Sequence, residues 1–128
     1  MALGVDAITL AGVGSMIHLT ATTPILLATE AADFRRGLDG FVALCEHGLG
    51  QMPRDGTLYV FRNRARTMVR ILAYETDSQG VGSGYWLMTK RLSRGRFRNW
   101  PSQSEPLTTL AAWQLRQVLN AVLDSSHG

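Results

Sequence analysis

Residues 57–61 alternate between two apolar surfaces, with Leu58 and Val60 on one side of an extended chain and Tyr59 and Phe61 on the other. This period of two, carried by branched and aromatic side chains, predicts a strand. Residues 67–75 and 85–92 predict two more strands. The first link is the turn at 63–66, and the second is a glycine-rich turn at 77–84. A short fourth strand over 96–100 ends at Pro101, whose ring cannot donate to a ladder, and 101–106 reads as loop. Upstream, the run ILLA at 25–28 follows Pro24 and predicts a buried strand.

Two stretches change to a helical period. Phe34, Leu38, Phe41 and Cys45 recur at spacings of four, three and four, with Leu44 and Leu49 in the same stripe. Asp33 is placed to cap the start, and Gly48 and Gly50 to end it. Gly37 and Gly40 inside this helix each cost about 1 kcal/mol relative to Ala, which predicts either a close backbone neighbour or a frayed first turn. A second helix is expected over 109–124, with Leu115, Val118, Leu119 and Val122 inward and Trp113 near the edge of that stripe.

The order is β-α-β-β-β-(β)-α. Short links between consecutive strands require antiparallel pairing, and two amphipathic helices need a sheet to cover. The expected fold is α+β, an antiparallel sheet of four to five strands packed with two helices. Residues 1–15 show neither period and are expected as a loose, disordered N-terminal extension, leaving one domain over 16–128. A single cysteine, Cys45, rules out an internal disulfide and is best placed in the core. No apolar run approaches the roughly 20 residues a membrane helix needs, so a soluble cytoplasmic protein is expected.

Charge is where the chain departs from an ordinary small domain. Ten of the thirteen Lys and Arg residues lie between Arg54 and Arg98, opposed there only by Asp55, Glu75 and Asp77, so this segment carries +7 while the whole chain carries +3. Clustered arginine displaces counterions from a phosphate backbone, which makes such a segment the electrostatic footprint of a nucleic-acid binder. Arg62, Arg64 and Arg66 surround the first turn, and Lys90, Arg91, Arg94, Arg96 and Arg98 follow the third strand. Antiparallel pairing in order would bring both groups to one end of the sheet. Tyr59, Phe61, Tyr85, Trp86, Phe97 and Trp100 are interleaved with them; at least half are expected in the core and the rest are candidates for stacking on bases.

Other chemistries fit less well. Asp33, Asp39, Asp55, Glu75 and Asp77 sit at a cap, in turns or alone, and not as the grouped carboxylates that hold Mg²⁺. His18, His47 and His127 are scattered, and one cysteine cannot make a zinc site. The glycines at 80, 82 and 84 lie between strands without the Lys-Ser/Thr that completes a phosphate loop. No catalytic residue, metal or cofactor is expected.

Three motifs in order carry a family resemblance: DFRRGLDG at 33–40, PxxGxLYVFR at 53–62, and KRLSRGRF at 90–97 followed by Trp100-Pro101. Together with QLRQVL at 114–119, they make the chain resemble the TnpB-type accessory protein of the insertion-sequence sixty-six transposons over about 16–124. The resemblance implies a non-catalytic helper of DNA transposition acting beside a separate transposase. It adds Arg35, Arg36 and Arg70 to the basic positions and includes Arg62, Arg64, Lys90, Arg91, Arg94 and Arg96. MIHL at 16–19 is similar to the usual opening of members, which makes residues 1–15 an upstream extension or a start-site choice. Two kinds of partner are implied: DNA, especially transposon ends, and the transposase of the same element. The rival reading is a protein-interaction module whose basic face meets an acidic partner without touching DNA. An exposed apolar patch at Trp86, Trp100 or Trp113 would favour it.

Overall fold

All four apolar residues of the 58–61 run are at most 4% exposed, so this strand needs cover on both faces. A computed structural model describes residues 8–10, 17–19, 21–76, 79 and 81–123. In chain order its elements are β1 (Ile8–Leu10), β2 (Ile17–Leu19), β3 (Ile25–Ala28), α1 (Leu38–Ala43), β4 (Leu58–Arg62), β5 (Met68–Thr76), β6 (Gly82–Arg91), β7 (Arg96–Phe97), β8 (Leu107–Leu110), α2 (Ala112–Asn120) and β9 (Val122–Leu123). Five strands form one sheet in the order β6-β5-β4-β3-β8, with β4 at its centre. Two small ladders accompany it, β1 with β2 and β7 with β9, both antiparallel.

The α+β class holds, with helices on opposite faces of the sheet. On one face, Ile25, Leu27, Leu58, Val60, Val69 and Ile71 pack with Leu115 and Val118 of α2 and with Phe97 and Trp100. On the other, Tyr59, Phe61 and Leu72 pack with Phe41 and Cys45 of the first helix. Phe41 touches Phe61 at a ring-centroid distance of 5.0 Å. Cys45 is fully buried, as its place in the apolar stripe predicts.

One pair in the sheet departs from antiparallel order. β3 and β4 run parallel, Ile25 opposite Leu58 and Leu27 opposite Val60. The chain between them is long enough to contain the first helix, and a crossover of that length returns the second strand in the same direction. β4–β5 and β5–β6, joined by short turns, are antiparallel as expected.

Several boundaries also differ, the expected strand over 96–100 among them, which stops at Phe97. Asp33 does not cap a helix: its side chain accepts the Arg35 amide at 2.9 Å and forms a local turn. Gly37 is extended, so α1 begins at Leu38, which is partly exposed. No other backbone approaches the glycines. A Cβ at Gly37 would meet nothing within 4 Å, and one at Gly40 would strike the Arg36 side chain. After Ala43 the helix widens into a π-type turn, Leu44–Gly48, where the Leu49 amide bonds the Leu44 carbonyl at 2.9 Å. The left-handed Gly50 (φ 65°) follows.

At the other end of the chain, Leu107–Leu110 is an edge strand on β3, where loop and the start of a helix are expected. α2 therefore starts at Ala112. Ala111 has no side-chain acceptor, but Gln114 Oε1 accepts its amide at 2.7 Å, which supplies half of a capping box. Ala121 is extended, and Val122–Leu123 leaves the helix to pair with β7. The third strand starts earlier than expected, at Gly82. The N-terminal extension expected at 1–15 lies outside the described residues apart from Ile8–Leu10, as do Asp124, His127, and residues 77, 78 and 80 of the glycine-rich turn.

Candidate nucleic-acid interface

The turn between β4 and β5 is built on Asn63. Its Oδ1 accepts the amides of Thr67 at 2.9 Å and Met68 at 3.1 Å, and its Nδ2 donates to Thr67 Oγ1 at 2.9 Å. These bonds hold Arg64 and Arg66 on a fixed loop, with Arg66 itself in the left-handed region at φ 60°. Across the next ladder, Met68 is opposite Arg91 and Val69 opposite Lys90. The chain then bends through the left-handed Gly95 and returns beside the turn. The Leu92 amide donates to Thr67 O at 2.9 Å and the Phe97 amide to Arg66 O at 2.8 Å. Both arginine clusters therefore sit at one end of the sheet, as antiparallel order predicts.

Alternation sorts the side chains there. Phe97 is 1% exposed in the core, which leaves Arg96 and Arg98 outside. Arg64, Arg66 and Arg91 are exposed as well. Among the described residues, these five have no side-chain hydrogen bond to the protein. Arg94 is exposed on the loop between them.

Arg36, Arg62, Arg70 and Lys90 are engaged in the scaffold. Arg70 Nη1 donates to the carbonyls of Phe34 at 2.9 Å and Arg36 at 3.0 Å, its Nε donates to Thr89, and its guanidinium lies 4.8 Å from the Phe34 ring centroid. Arg36 Nη1 donates to Gly40 O at 3.1 Å, and its Nε is buried without an acceptor. Arg62 Nη1 donates to Asn63 O at 3.2 Å, and its Nε is also buried without an acceptor. Burial, and then the neighbouring charge of Arg66, lowers the Arg62 pKa. Lys90 Nζ donates to Leu119 O at 3.2 Å, placing a cation at the C-terminal end of α2, where the helix dipole favours one. Arg35 is exposed and pairs with Asp33 at 2.9 Å.

Arg35 and Arg36 are not remote from the cluster. The Ala32 amide donates to Arg62 O at 2.9 Å, bringing the segment before α1 against the hairpin. An open hollow of about 730 Å³ lies between them, lined by Asp33, Arg35, Arg36, Asn63 and Arg64. It sits beyond the carboxyl ends of the parallel pair β3 and β4.

Of the six interleaved aromatics, Tyr59, Phe61, Phe97 and Trp100 are buried, and Tyr85 and Trp86 are half-buried. The exposed large aromatic is Trp113, at 54%. The helical period placed it at the edge of the α2 stripe; with Trp100 buried and Trp86 half-buried, it is the one of the three tryptophans that stands exposed. Among the described residues, no three of His, Cys, Asp and Glu gather as a metal-ligating group.

The family model described as "IS66 Orf2 like protein" matches residues 23–126. The chain belongs to the IS66 Orf2-like family. This membership makes it an accessory protein of transposition. The matched span holds every Lys and Arg of the chain, so both arginine clusters are part of the family domain. Two proteins of Sinorhizobium fredii are similar. "Uncharacterized protein y4hO" is 32% identical over 98 residues, which are 77% of this chain and 79% of that protein. "Uncharacterized protein y4jC" is 38% identical over 73 residues, 57% of each. No solved structure matches the chain. No helix among the described residues of this IS66 Orf2-like chain is long and apolar enough to cross a membrane.

Proposed function

We infer that the protein is a non-enzymatic accessory factor that binds DNA at transposon ends, in the cytoplasm, beside a separate transposase. The observation that carries this reading is the meeting of Arg64 and Arg66 with Arg91, Arg94, Arg96 and Arg98 at one end of the sheet, tied backbone to backbone through Arg66 and Phe97. Exposed guanidiniums on fixed strands and turns suit phosphate oxygens, which accept from them in pairs. Arg35 and Arg64, at the hollow beside this end, extend the same surface. Arg36, Arg62 and Arg70 hold the surface in shape through carbonyls and rings, and Lys90 fixes α2 against it.

The test is fluorescence anisotropy of a labelled transposon-end duplex, with a scrambled duplex as control, over a range of salt. Binding should weaken steeply with salt. Replacing Arg64, Arg66, Arg94 and Arg96 by Ala together should reduce affinity and flatten the logarithmic salt slope by about 0.9 per lost phosphate contact. Preference for the end sequence supports end recognition, and equal binding to both duplexes supports general clamping. Unchanged affinity and slope in the variant would overturn the assignment of these arginines. Absence of binding near physiological salt would move the basic face to an acidic protein partner.

A further inference from the structure

We propose that the groove along α2 is a second part of the DNA site, one that takes unpaired bases by stacking on Trp113. This rests on the phosphate-binding reading above and adds what that reading lacks, a place for a base. The groove is open, about 820 Å³, and is lined by Trp113, Asn99, Gln117, Asn120 and Arg116, with Pro101 in its wall. Its size suits small flat ligands. Its chemistry is that of a single-stranded nucleic-acid platform: one exposed indole face, side-chain amides that both donate and accept toward base edges, and a guanidinium. Among the described residues, the lining contains no carboxylate to repel a phosphate.

Position joins it to the arginine cluster. The far end of the groove is Ala121, whose carbonyl accepts the Arg98 amide at 2.9 Å. Two residues earlier, Leu119 O accepts Lys90 Nζ. From Trp113 to Ala121 the helix rises about 12 Å, so a strand whose backbone leaves the arginines reaches the indole within a few nucleotides. Asn99, in the wall, is held in the left-handed region at φ 57° directly after Arg98. The chain therefore passes from a phosphate-facing side chain to a groove-facing one in a single step. Trp113 itself is exposed on a helix whose core is filled by Leu115 and Val118, so its ring is not needed to close the fold.

The occupant is DNA with unpaired nucleotides beside a duplex. The experiment compares a blunt duplex with the same duplex carrying a short single-stranded thymidine tail, using wild type, Trp113→Ala and Trp113→Phe. Wild type should bind the tailed DNA about tenfold more tightly, the increment of one stacked base. Trp113→Ala should remove that increment and leave the blunt duplex affinity unchanged, while Trp113→Phe should keep part of it. Tryptophan fluorescence should fall on adding the tailed DNA to wild type and not to Trp113→Phe, because Trp100 is buried and Trp86 is half-buried. Blunt binding with no gain from the tail, a gain that survives in Trp113→Ala, or an equal loss for both DNAs in that variant would each overturn the base site alone. Failure of wild type to bind either DNA would overturn the phosphate reading and this site with it.

Discussion

The carbonyl of Arg66 accepts the amide of Phe97 at 2.8 Å, so a left-handed, exposed arginine is bonded to a residue that is 1% exposed in the core. A non-glycine residue in that backbone region costs about 1–2 kcal/mol, while glycine adds roughly 0.5–1 kcal/mol of chain entropy to be lost on folding. Arg66→Gly should therefore raise stability by about 0.5–1 kcal/mol in urea denaturation and still weaken DNA binding. Arg66→Ala should weaken binding similarly without the gain in stability. A destabilised Arg66→Gly would show that the Arg66 side chain contributes to folding.

Arg70 should behave in the opposite way. Its guanidinium bridges two carbonyls of the segment before α1 and stacks on Phe34. Arg70→Ala leaves Phe34 O and Arg36 O short of a charged donor and is expected to cost about 2–4 kcal/mol. Arg70→Lys, a point charge with no planar fork, should fall between. DNA affinity of the folded fraction should be nearly unchanged in both. Loss of binding without loss of stability would move Arg70 into the interface.

The central strands were legible because their alternation is a direct record of two buried faces, as in Leu58, Tyr59, Val60 and Phe61. The meeting of the arginine clusters was legible too, since it follows from antiparallel order alone. The start of the first helix was not, because Asp33 offers the same oxygen to a helix cap and to a local turn. Gly37 decides for the turn by being extended. β8 is four residues at a sheet edge, and in sequence its Thr108 and Thr109 run straight into a helical period; only pairing with β3 reveals it. The partition of the arginines was hidden for a related reason. Arg70 and Arg64 look alike in sequence, and what separates them is whether carbonyls from 34 and 36 stand within reach.

The Asp33 carboxyl gives a pH signature of the turn before α1. Hydrogen bonds from the Arg35 side chain, and then from its backbone amide, hold its pKa down from 3.8 to about 2. The folded value is the lower one, so the turn's contribution is fully present above about pH 4. It is lost as pH falls through about 2. The carboxyl carbon, followed by NMR titration, should show a midpoint near 2 in wild type. In Arg35→Ala the midpoint should rise toward 3.8, though not all the way, because the amide of residue 35 still donates. An unchanged midpoint would mean that the side-chain pair is not formed in solution.

Two tryptophans test how the arginine-bearing return segment is fastened to the sheet. Trp100 Nε1 donates to Ala28 O at 2.9 Å in a buried site, and Trp86 Nε1 donates to Glu75 Oε1 at 2.7 Å in a partly exposed one. Replacing either by Phe removes one donor and keeps an aromatic ring. At Trp86, water reaches the freed carboxylate, so little should change. At Trp100, the carbonyl at the end of β3 is left without that donor where water does not reach, and the cost should be about 1–3 kcal/mol. Trp100→Phe is therefore expected to lower the urea midpoint clearly more than Trp86→Phe at an unchanged slope. It should also weaken DNA binding by more than the lost folded fraction explains, because Arg96 and Arg98 lie on the segment that Trp100 anchors. Equal effects of the two substitutions would mean that Phe97, and not the Trp100 hydrogen bond, holds the segment in place.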